Sequence, residues 1–115
     1  MSSLLHSNIS IRISDPWELG EALRWEPINA EIIGVNGDDI LIQLLKPFDF
    51  KGTSCEFFIA SPRHEGDHAV ELLNVGSLFC GMTRITTNQA RSNNPFDLSN
   101  WRGGIAIIGN LDLRT

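Results

Sequence analysis

The chain has 115 residues and a mass of 12.8 kDa, close to the roughly 100 to 150 residues of one ordinary domain, so a second domain has no room. With 42% hydrophobic residues it can bury a core without metal or disulfide staples. A formal charge of −5 and a pI near 5.0 argue against binding nucleic acid by phosphate neutralisation, and against an anionic membrane surface.

The longest uncharged stretch, Leu72 to Thr83, has 12 residues, short of the roughly 18 a membrane span needs. The opening MSSLLHSNIS lacks a basic n-region and a long apolar h-region. The expected compartment is the cytoplasm, where the two cysteines, Cys55 and Cys80, read as buried free thiols.

Asn8 to Ser14 alternates, with Ile9, Ile11 and Ile13 on one face and Ser10, Arg12 and Ser14 on the other, as in a half-buried strand. Asp15-Pro16-Trp17-Glu18 then resembles a helix start, with Asp15 as N-cap, Pro16 at the first helical position and Glu18 three residues after the cap. One or two turns to about Trp25 would follow. Ile28 to Val35 and Ile40 to Lys46 flank Asn36-Gly37-Asp38-Asp39, and Asn-Gly is a strong hairpin signal because both residues accept positive φ.

Pro47 to Gly52 is expected to be a connection, and Thr53 to Ala60 a strand with Cys55, Phe57 and Ile59 on one face. After a polar loop from Ser61 to Asp67, His68 to Asn74 and Ser77 to Thr86 read as a second hairpin about Val75-Gly76. Ala69 to Leu73 alone also suits a short helix. Thr86 to Asn100 is rich in Asn and Ser, with helical turns expected at Asn88 to Arg91 and Phe96 to Asn100. A last strand spans Ile105 to Leu113. The fold class expected is mainly β, a β-rich α+β single domain: an antiparallel sandwich or partly open barrel of about seven strands with one or two short helices.

His64-Glu65-Gly66-Asp67-His68 matches the H-E-x-x-H zinc hydrolase pattern. That chemistry requires a helix, which alone puts both imidazoles on one metal with the glutamate beside its water. Pro62, Gly66 and Asp67 oppose a helix here, and the extended form of the motif would want Gly and His where the chain has Glu71 and Asn74. A polar loop is expected, with no metal and no cofactor. No G-x-S-x-G elbow is present, and the apolar neighbours Phe57-Phe58 and Leu78-Phe79 argue against a reactive thiolate at Cys55 or Cys80. No catalytic residue is assigned. Asn94-Pro95-Phe96 reads as a turn, and Trp101-Arg102-Gly103-Gly104 as a loop anchored by a buried indole.

Charge is the more informative feature. Residues 1–60 carry four basic and nine acidic residues, whereas 61–115 carry five of each, so the whole excess is N-terminal. Between Asp15 and Asp39 there are seven acids and one base, Arg24, with Trp17 and Trp25 among them. Indoles offer large rigid contact area, and a ring of carboxylates steers a basic partner. The candidate partner-binding residues are therefore Asp15, Trp17, Glu18, Glu21, Trp25, Glu26, Asp38 and Asp39.

A small acidic chain without a catalytic motif and with such an aromatic-acidic face resembles the immunity proteins of bacterial toxin systems, including contact-dependent growth inhibition. The segment FDLSNWRGGIAIIG has the look of a family signature. The resemblance implies a cytoplasmic protein that occludes the active site of a basic, nuclease-like toxin with carboxylates of residues 15–39. The alternatives are a small-ligand-binding β-barrel or a non-catalytic subunit of a larger assembly and, behind these, a zinc hydrolase using His64, Glu65 and His68. An interior apolar cavity would favour the ligand-binding barrel.

Overall fold

The computed structural model describes residues 4–15, 27–50, 52–97 and 106–114. Six antiparallel strands pair in sequence order and the last closes on the first, a closed up-and-down barrel. The strands are β1 (Asn8–Asp15), β2 (Ile28–Asn36), β3 (Asp39–Phe50), β4 (Thr53–Pro62), β5 (Ser77–Ile85) and β6 (Ala106–Leu113). Helix α1 (Ala69–Asn74) links β4 to β5, and α2 (Thr87–Ala90) follows β5. Each described strand has a neighbour on both sides along part of its length.

Period-2 patterning decides which side chains fill the interior. Ile9, Ile11 and Ile13 of β1 point inward, as do Ile40, Ile42 and Leu44 of β3 and Leu78, Cys80 and Met82 of β5. Among the described residues no polar or charged side chain is buried. At the β1–β6 seam, Arg12 donates from Nε and Nη2 to both carboxylate oxygens of Asp112. The guanidinium hydrogen bonds hold the Asp112 carboxyl below the usual carboxylate range, opposed by partial burial and aided by Ser77.

A depressed folded-state pKa gives stability that is complete above the unfolded value, about 4, and lost as pH falls through the folded value. Asp112→Asn should therefore lower stability near neutrality and flatten its loss below about pH 4, measured by urea unfolding against pH.

The β2–β3 hairpin forms where expected, but its two-residue turn is Gly37-Asp38, with Asn36 paired to Asp39. Only the glycine takes positive φ, +62°, the pattern of a type II′ turn rather than the two left-handed residues of Asn-Gly. Pro47 to Gly52 is not a simple connection. β3 runs on to Phe50 and turns back at Gly52, φ +84°, whose N–H donates to Asp49 Oδ2 at 3.2 Å.

Two expectations are corrected. Residues 68–74 form no strand: Ala69 and Leu73, one helical turn apart, are both buried, and α1 closes one end of the barrel, so the described residues hold six strands rather than the seven expected. Cys55 also does not share a face with Phe57 and Ile59. The β3–β4 register slips between Gln43 and Phe48, so Cys55, Phe58 and Ala60 face the interior. Phe57 and Ile59 point outward, where Leu41 and Ile85 join them in a second apolar cluster.

That outer cluster is covered by the segment after β5. Thr86 Oγ1 caps α2 by accepting from Gln89 N–H at 3.0 Å, and the Gln89 amide then donates to the carbonyls of Pro95 and Asp97. Asn94-Pro95-Phe96 is thereby folded as a turn with Phe96 packed on the cluster. Helical turns expected at Phe96 to Asn100 fall largely outside the described residues.

Candidate functional site

The hairpin tip and α1 meet at one end of the barrel. Helix α1 has no cap of its own, since its N-cap residue is His68 and that side chain makes no capping bond. Asp38 supplies one from 31 residues away: its Oδ1 accepts from the Ala69 N–H at 3.1 Å, while Oδ2 lies 3.5 Å from His68 Nδ1. Beside it, Asp39 Oδ1 accepts from Ser61 Oγ at 2.7 Å. These are the two candidate partner-binding residues whose side chains are described, and each already ties the tip to a neighbouring element. The Asp38 side chain remains 45% exposed, which leaves its charge in contact with solvent.

The same end gathers carboxylates that the charge count of residues 15–39 passed over. Glu65 and Asp67 lie in the loop leading to α1, and Glu71 stands in its first turn. They come from the half of the chain with balanced charge, so composition could not single them out. The long connection after β4 brings them to the hairpin.

Asp15 is the last residue of β1, paired with Ile108 beyond a bulge. Trp17, Glu18, Glu21, Trp25 and Glu26 lie outside the described residues, as does the helix expected from Pro16 to Trp25. The Trp101-Arg102-Gly103-Gly104 segment lies outside them too.

His64-Glu65-Gly66-Asp67-His68 is a turn and loop, with Gly66 at φ +88°. His64 packs its ring against Phe79, centroids 5.5 Å apart, whereas His68 turns to Asp38. The two imidazoles thus have separate neighbours, and among the described residues no three His, Cys, Asp or Glu side chains group as metal ligands would. This is the geometry that H-E-x-x-H chemistry does not use.

Cys55 and Cys80 are free and buried. Burial pushes the Cys80 thiol up to about 12. Burial raises Cys55 as well, with Arg84 pulling the other way. Burial thus acts on both thiols against the charged form, the opposite of the setting that makes a thiol reactive. Among the described residues no helix is long and apolar enough to cross a membrane. No protein-family model, curated protein or solved structure matches this chain.

Proposed function

We propose that this chain is a small acidic binding protein that works in the cytoplasm by covering a basic surface of another protein, in the manner of an immunity protein that occludes a nuclease-like toxin. One observation carries the reading: seven acids against one base between Asp15 and Asp39, with two tryptophans among them. The inward side chains of the described strands are apolar and form one buried cluster, which supports a role for the outside of the molecule. Glu65, Asp67 and Glu71 at the α1 end add carboxylates from outside residues 15–39 next to Asp38 and Asp39.

The test starts with affinity capture on the immobilised full-length chain, from the cell it comes from, and identification of the retained protein. Reversing Glu18, Glu21 and Glu26 to lysine should then slow association by about tenfold at low salt and flatten its salt dependence. Asp38 and Asp39 are poor probes, since changing them also strips the cap of α1 and the bond to Ser61. Trp17→Ala or Trp25→Ala should speed dissociation. An acidic captured partner, or a triple reversal that leaves the association rate and salt slope unchanged, defeats the proposal.

A further inference from the structure

At the barrel end opposite the hairpin tip, β2 and β3 stop pairing early. Their last pair is Ala30 with Leu44, and continuing that register would set Pro27 against Pro47. Proline has no N–H to give, so neither residue can donate to the ladder, and proline is tolerated only where a ladder ends or bulges. The two strands part at this point. Between them lies a groove of about 340 Å³, formed by residues 27–29 and 45–48.

The groove has an apolar body and a polar rim. Ile28 and Phe48 are half-buried and pack on the main core, so they form its inner wall. The two prolines and Leu45, which is 57% exposed, make the sides. Asn29 and Lys46, on facing strands, are the two residues of the lining with polar side chains. Among the described residues neither side chain has a hydrogen-bond or ion-pair partner, in contrast to Arg12, Arg84 and Gln43.

A leucine left in water beside a cation and an amide with nothing to bind matches a ligand that is apolar along its length and anionic at one end. The volume falls within the roughly 300 to 1,000 Å³ of small-molecule sites. We infer that this groove binds a small organic carboxylate with an aliphatic body, its chain lying against Ile28, Leu45 and Phe48 and its carboxylate accepting from Lys46 Nζ at the rim. The groove is built from none of the candidate partner-binding residues, so its test is separate from theirs.

The probe is octanoate, titrated into the isotope-labelled full-length chain while the methyl signals of Ile28 and Leu45 are followed by NMR. Octanol, with the same chain and no charge, and acetate, with the charge and almost no chain, are the comparison ligands. Octanoate should shift these signals with a Kd of about a millimolar, as its few heavy atoms allow. Octanol should bind several-fold more weakly and acetate not measurably.

Lys46→Met should weaken octanoate about three- to fivefold at low salt, the range of an exposed ion pair, and leave octanol unchanged. Leu45→Ser should weaken both. Both positions are exposed, and thermal melting checks that each variant folds. Octanol binding as tightly as octanoate, or an unaltered Lys46→Met titration, removes the carboxylate from the site. Methyl shifts that follow protein concentration alone assign the groove to a second copy of the chain and overturn the inference, as does the absence of shifts with octanoate.

Discussion

Gly109→Ala should cost about 3 kcal/mol of stability, at the upper end for an overpacked site. A Cβ built at Gly109 would stand 2.2 Å from the Arg12 carbonyl oxygen and 3.1 Å from both Arg12 C and Ile13 Cα. All three are main-chain atoms of β1, so no flexible side chain can swing aside. The strands themselves must separate, at the seam where Ile13 pairs with Gly109 and the barrel closes. The contact stands next to the bulge between Ile13 and Asp15, where the register of β1 against β6 shifts.

The control is Gly37→Ala, at the hairpin turn, where a Cβ meets nothing within 4 Å and the penalty comes from φ +62° alone. That change should cost about 1 kcal/mol. Urea unfolding with unchanged slope checks both, and equal costs for the two substitutions would mean that the seam is looser than its geometry indicates.

The strands were legible wherever one face is buried and the other wet. The isoleucines of β1 and the alternation of β5 carry their own register, because a slip of one residue would bury Arg12 in the first and Ser77 and Thr83 in the second. What stayed hidden was set by pairs far apart in sequence. Residues 68–74 read first as a strand, with a short helix over Ala69 to Leu73 as the alternative, and the helix is capped by the Asp38 carboxylate, brought by a hairpin 31 residues upstream. The inward turn of Phe58 and the outward turn of Phe57 depend on a register slip in the partner strand β3. Nothing local to β4 announces it.

The candidate site divides along the same line. Asp38 and Asp39 were found from charge density, yet their bonds to α1 and Ser61 are tertiary facts. The groove had a sequence signal, two prolines placed to oppose each other across a hairpin, but it could be used only with the register in hand. The bulge between Ile32 and Gly34 shifts that register by one, so counting outward from the turn would have missed the pairing.

Phe58→Ala should be more damaging than any other change argued for this chain, with a loss of about 3 to 5 kcal/mol, enough to leave a domain of ordinary stability close to unfolding. The ring is 1% exposed and lies in the main cluster, on the strand pair where Ile42 stands opposite it. Its neighbours are held by a closed sheet, so they cannot collapse freely into the space it leaves, and a rigid surround is what makes truncation costly.

The measurement also separates the functional readings. A barrel that carried a ligand in its interior would already hold empty volume, and loss of one ring would enlarge a cavity rather than create one. Its cost would then approach the transfer value of the side chain, about 2 to 3 kcal/mol. Where no such volume exists, Phe58→Ala should leave a dry cavity among the apolar side chains of the main cluster, which benzene or xenon can enter. Benzene should therefore raise the melting temperature of Phe58→Ala by several degrees and leave the parent chain unmoved, as ligand linkage requires. A parent chain that is itself stabilised by benzene would show interior room for a guest and return the ligand-binding barrel to first place.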